Sequence, residues 1–85
     1  MESKRFNRQI ILTHHAKEQM AARNISYAEL METIEEGDAD YKNATNLWLS
    51  RFFPARHDNL ICAAVVLENA LVVKTVMHHF ERNPP

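Results

Sequence analysis

Five histidines stand among the 85 residues of this chain, four of them in the adjacent pairs His14-His15 and His78-His79. Histidine can take up or give a proton near neutral pH, its ordinary pKa being about 6.5. Arg51, Arg56 and Lys74 are cations of the kind that hold a phosphate. These residue types together meet the needs of RNA cleavage without metal. That reaction takes a base for the ribose 2′-OH, a cation for charge growing on the phosphate, and an acid for the leaving oxygen. Arg51 is the choice for the catalytic cation, with Lys74 and Arg56 as substrate-binding residues. A metal centre is the rival chemistry. Neighbours on a strand face opposite sides, so His78 and His79 do not converge, and neither Cys62 nor a second nearby histidine completes a zinc spacing. No metal and no cofactor is expected.

Each of these residues also has a plainer account. His15 can be a first-turn helix residue bonded to the backbone, and Arg51 a strand cation whose stem packs on apolar neighbours. Arg56 and His57 fall in a loop and can be ordinary solvated side chains. Trp48 and Phe52 share a strand face with Ser50, and they either belong to the core or stack single-stranded bases.

The elements that must position these groups are marked by their ends and periods. Thr13 is an N-cap residue and Asn24 suits a left-handed close, so a helix runs between them with Ala16 and Met20 on its apolar stripe. Ser26 and Glu29 form the capping box S-x-x-E. They open a second helix, whose buried face is predicted as Tyr27, Leu30, Met31 and Ile34, with Gly37 as its C′ residue. Near Tyr41 the pattern turns from helical to extended. Leu47 to Phe53 reads as a strand stopped by Pro54, Leu60 to Leu67 as a central strand, and Leu71 to His79 as the next strand of an antiparallel meander. Gln9 to Leu12 is at best a short fourth. Alternation in the last strand places Leu71, Val73, Thr75, Met77 and His79 on the core face, and Val72, Lys74, Val76 and His78 on the other. By spacing, then, Lys74 and His78 line the open face.

The expected fold is α+β, with two helices on one face of a three- or four-stranded antiparallel sheet. The chain is read as a single domain over 1–85, with 1–8 expected either to lack order or to start an edge strand, and 81–85 to lack order. Its one cysteine, Cys62, sits in an apolar run and forms no disulfide framework, which is the usage of a reducing compartment. No apolar run approaches a membrane span, so the expectation is a cytoplasmic protein with no membrane partner. The net charge is −1, yet it is unevenly spread. Six of the eleven acids, Glu29, Glu32, Glu35, Glu36, Asp38 and Asp40, fall between Ser26 and Asp40 with no Lys or Arg among them. The remainder carries ten basic residues against five acidic ones, so one side can attract phosphate while another repels it. The plain alternative for the acids is the solvated face of a helix.

The order His15-Ala16, Met20, Arg23, Ile25-Ser26, with a weaker echo in Val72-Val73-Lys74-Thr75-Val76, resembles a bacterial domain-of-unknown-function family, numbered 4258, that is grouped with RelE-like ribonuclease toxins. The chain departs from that pattern at Gln19, where the family usually has Arg, and at Asn24, where it usually has Gly. The resemblance implies a RelE-like fold acting as a metal-independent endoribonuclease toxin, with His15 and Thr75 as catalytic residues and RNA and an antitoxin protein as partners. His78 and Arg51 join them as catalytic candidates. The alternative is a non-catalytic protein- or RNA-binding module of the same fold, or a homodimer, which the near-neutral charge and Gln19 favour. ParE-like relatives of the fold act on protein targets.

Overall fold

Orphan backbone groups at the helix ends are satisfied by the side chains whose types marked those ends. A computed structural model describes residues 1–54 and 60–78. Its elements are β1 (Glu2–Ser3), β2 (Arg8–Leu12), α1 (His14–Ala22), α2 (Tyr27–Glu36), β3 (Asp38–Tyr41), β4 (Asn46–Phe52), β5 (Leu60–Leu67) and β6 (Leu71–His78). Thr13 caps α1 by accepting from the Ala16 N–H at 3.0 Å. The helix closes on Asn24 at φ 54°, while Ile25 N–H donates to Met20 O and Asn24 N–H to Ala21 O, the paired bonds of a Schellman close. Ser26 accepts from Glu29 N–H, and the Glu29 carboxylate accepts from Ser26 N–H at 2.9 Å, so the capping box is complete.

The six strands form one sheet in the order β1-β2-β6-β5-β4-β3. This overturns the expected three- or four-stranded antiparallel sheet, although the α+β class stands. The β2 strand pairs parallel to β6, Ile10 with Leu71 and Leu12 with Val73, while all other neighbours are antiparallel. Two strands are added by context rather than by their own pattern. The β3 strand is Asp38-Ala39-Asp40-Tyr41, an edge in which only Ala39 packs on the core, and its extended form comes from pairing with β4. The β1 strand has two residues. Neither carries the apolar alternation by which strands are read.

One face of the sheet meets both helices. Leu47, Leu49, Ile61, Ala63, Val65, Leu71, Val73 and Val76 pack with Ala16, Met20, Leu30 and Ile34 in a single buried cluster. Each fully buried Leu or Ile contributes about 2 kcal/mol of transfer free energy. Two details of α2 differ from its expected face. Tyr27 is exposed and Thr33 is buried instead, which it tolerates because its hydroxyl donates to Glu29 O at 2.8 Å. Gly37 is not a left-handed C′ residue. It is the C-cap, in extended backbone at φ −74°.

The acids of α2 also do more than face water. The Glu35 carboxylate accepts from the backbone N–H groups of Lys4 at 3.0 Å and Arg5 at 2.8 Å. The Arg5 guanidinium in turn donates to Ile34 O and Gly37 O, closing the end of α2 with a positive charge. The N-terminal segment is thereby tied to this helix.

Candidate nucleic-acid interface

The site is built from a discontinuity in β6. On β5, Ala64 pairs with Thr75 and the next residue, Val65, pairs with Val73, so Lys74 is an extra residue in the β6 ladder. Such a bulge re-aims the side chains that follow it. The alternation read from the sequence therefore holds through Lys74, which is exposed, and fails past it: Val76 is buried in the core, whereas Thr75 and Met77 are half-buried on the far face. Thr75, expected on the core face, lies opposite Ala64 on the open one. Adjacent residues that regular strand geometry would send to opposite sides both line one cleft.

That cleft measures about 240 Å³ and crosses β4, β5 and β6 on the face away from the helices. Lys42, Asn46, Trp48, Ala64, Lys74 and Thr75 line it, with Leu47 and Val65. Trp48 is half-buried and stands opposite the small side chain of Ala64 in the ladder. Lys42 and Lys74 are exposed at its two sides, on the β3–β4 hairpin and on β6. Among the described residues no carboxylate lies within ion-pair distance of either ammonium. Asp40 shares the face, opposite Trp48 on the outer strand, so negative charge bounds the cleft beyond β4.

The hairpin that presents Lys42 and Asn46 is wound on one oxygen. Asn43 Oδ1 accepts from Thr45 N–H, Asn46 N–H, Thr45 Oγ1–H and Asn46 Nδ2–H at 2.9–3.3 Å. Lys42 N–H donates to Asn46 O at 2.8 Å and Thr45 O accepts from Leu67 N–H at 2.7 Å, so the turn is fixed to the sheet as well as to itself. Lys42 and Asn46 were not singled out by sequence reasoning. The cluster Asn43-Ala44-Thr45-Asn46 is the turn signal that locates them.

The first turn of α1 meets the same bulge. Thr13 Oγ1, besides capping its helix, donates to Lys74 O at 3.0 Å, and Thr13 N–H donates to Val73 O at 3.2 Å. The segment carrying His15 is thus joined to the segment carrying Lys74 and Thr75. His15 is exposed. His14 is 2.6 Å from Glu18 one turn on, an exposed pairing of small energetic weight.

Arg51 is not gathered with these residues. It pairs with Ile61, whose side chain is in the core, and so faces the helices. Its Nε lies 3.2 Å from Glu32 Oε2 without hydrogen-bond geometry, its Nη2 lies 3.7 Å from Glu36 Oε2, and its Nη1 donates to Glu36 O. It joins β4 to α2. Arg56, His57 and His79 lie outside the described residues, as does the side chain of His78. Among the described residues no three His, Cys, Asp or Glu side chains are grouped to hold a metal ion. None of their helices is long and apolar enough to cross a membrane.

A family described as Domain of unknown function (DUF4258) matches residues 12–78, more than half of the chain, and the chain belongs to that family. The match begins at the end of β2 and ends with β6, so it contains the whole cleft. No curated protein and no solved structure matches the chain.

Proposed function

We propose that this DUF4258 domain binds single-stranded RNA across the open face of its sheet. The observation that carries this reading is the bulge at Lys74, which brings a cation and a hydroxyl into one cleft with Trp48, Asn46 and a second cation, Lys42. An indole ring offers a stacking surface that any base can use, and paired cations track the phosphates on either side of it. The charge pattern supports the same placement, because the acids are concentrated in α2 and β3 and leave the β6 side positive.

The test is the affinity of the full chain for a short labelled single-stranded RNA, read by fluorescence anisotropy. Trp48→Ala is expected to weaken binding about tenfold or more, with the fold checked by circular dichroism. Lys42→Ala and Lys74→Ala are expected to weaken it additively. Binding that all three variants retain would remove the cleft from consideration.

A second reading adds cleavage, in the manner of a RelE-like, metal-independent endoribonuclease held by an antitoxin partner. One observation favours it: Thr13 bonds to Lys74 O and so joins the start of α1, the helix that carries the candidate base His15, to the strand that carries Thr75 and Lys74. With RNA alone and on translating ribosomes as substrates, His15→Ala is expected to lower cleavage about 100-fold or more, and His14→Ala to leave it little changed. Intact RNA after incubation with the wild-type chain on both substrates would leave the binding reading alone.

A further inference from the structure

The cleft contains a hydrogen-bonding group whose orientation is determined by its neighbours. Asn46 Nδ2 lies 3.1 Å from Asn43 Oδ1 and 3.2 Å from Thr45 Oγ1. Asn43 Oδ1 is an acceptor beyond question, since the backbone N–H groups of Thr45 and Asn46 both point at it. The Thr45 hydroxyl spends its one hydrogen on the same oxygen, which leaves it only lone pairs to offer Asn46. An inverted Asn46 amide would set carbonyl oxygen against carbonyl oxygen with no hydrogen between them. The Nδ2 end is therefore turned into the hairpin and held there by two acceptors, while among the described residues no donor reaches Oδ1, the end of this side chain left for a ligand.

An asparagine with both ends available reads a base edge by donating and accepting together. Here the donor end is held by the hairpin and the acceptor end is unclaimed. It stands two residues before Trp48 on the same face of β4, beside the position of a stacked ring. A lone acceptor at a ring edge suits a base whose edge projects an amine hydrogen. The 4-amine of cytosine does so, as do the amines of adenine and guanine. Uracil carries a carbonyl oxygen at that position, and its ring N–H is recessed between two such oxygens, each of which an incoming carbonyl repels.

Resting on the RNA-binding reading, we infer that the cleft selects amino-bearing bases over uracil, with Asn46 Oδ1 as the specificity-determining acceptor. Lys42 and Lys74 hold phosphate whatever the base and contribute affinity without choice.

Cytosine and uracil are rings of nearly equal size that differ at this one substituent, so short oligomers of cytidylate and of uridylate are the probes. Competition anisotropy at one fixed salt concentration is expected to show the full chain binding the cytidylate about fivefold more tightly, the worth of one net hydrogen bond. Asn46→Ala is expected to bring the ratio close to one by weakening the cytidylate alone. Because Asn46 also holds the hairpin, a second arm leaves the protein untouched. An oligomer of N4,N4-dimethylcytidylate, which has the ring but no amine hydrogen, is expected to bind the wild-type chain no better than uridylate. Equal affinity for cytidylate and uridylate, or a preference that survives either Asn46→Ala or dimethylation, overturns the inference while the binding reading stands. A preference for ribose over deoxyribose that Asn46→Ala removes, with no preference among bases, overturns it in favour of a 2′-OH contact. If neither oligomer binds, the binding reading falls and this inference falls with it.

Discussion

A β-carbon at position 37 would stand 2.7 Å from Ser50 O and closer still to Thr33 O, both of them backbone atoms with no room to retreat. Gly37→Ala is therefore expected to destabilise the fold by about 2 kcal/mol or more, the usual cost of overpacking, seen as a lower urea midpoint. The glycine was legible as a helix stop, but its reason was not. Sequence patterns suggest a left-handed φ, whereas what the site requires is close passage of α2 against β4, which no local pattern contains. Glu35 is a second residue whose role depends on distant partners. Burial works against its charge, but the Ser3 hydroxyl, the Arg5 and Lys4 backbone N–H groups and the Arg5 charge together outweigh it and hold its carboxyl below the ordinary value. A carboxyl with a lowered folded pKa stabilises the fold above its unfolded pKa, about 4.3, and loses that contribution as pH falls through the folded value. Glu35→Gln should thus lower stability at pH 7, and the gap between the two proteins should narrow as pH falls through the lowered folded value in an acid titration followed by circular dichroism.

At the scale of elements, the junction of α1 with β6 depends on one hydroxyl that accepts from its own helix and donates across to the bulge. Thr13→Ala removes both bonds, and a loss of about 1–2 kcal/mol in urea unfolding is expected, while Thr13→Ser should retain most of the stability. If the junction also sets the cleft, Thr13→Ala weakens RNA binding without touching a residue that lines it. The helices themselves were readable because caps and i, i+3, i+4 patterns are local: Thr13, Asn24, Ser26 and Glu29 each act within a few residues of themselves. The bulge was not readable. A period of two, counted along Leu71 to His78, carries no mark of an inserted residue, and that insertion exists only in the register against β5. For this reason the spacing set Thr75 on the core face, and only the family resemblance kept it as a site residue. Lys74 was assigned to the open face because it stands before the alternation fails.

Across the whole molecule the charges sort themselves by task. Of the six acids between Ser26 and Asp40, Glu29 completes a capping box, Glu32 and Glu36 hold Arg51, and Glu35 holds the N-terminal segment. That is more than the solvated face the composition suggested. On the RNA-binding proposal the charge that meets phosphate is that of Lys42 and Lys74, so the salt dependence of binding should be shallow. Two phosphate contacts on a single strand predict a slope of log K against log salt near −1.4, and a slope well beyond −3 would place the nucleic acid on some other, larger basic surface. The parallel pairing of β2 with β6 was illegible for a related reason, since a five-residue strand reveals neither its partner nor its direction. That pairing also bears on when the protein can exist. Among the described strands β6 is the last in sequence; it is seated between β2 and β5, and it supplies Lys74 and Thr75 to the cleft and the carbonyls on which Thr13 closes. During synthesis β2 can pair with β1 at once, but its other edge and the inner face of α1 must wait some sixty residues for β6, because pairings this far apart in sequence form only once the intervening chain is present. A nascent chain that stops before Leu71 therefore lacks Lys74, Thr75 and the strand between β2 and β5, and the proposed cleft forms only once β6 has been made and paired.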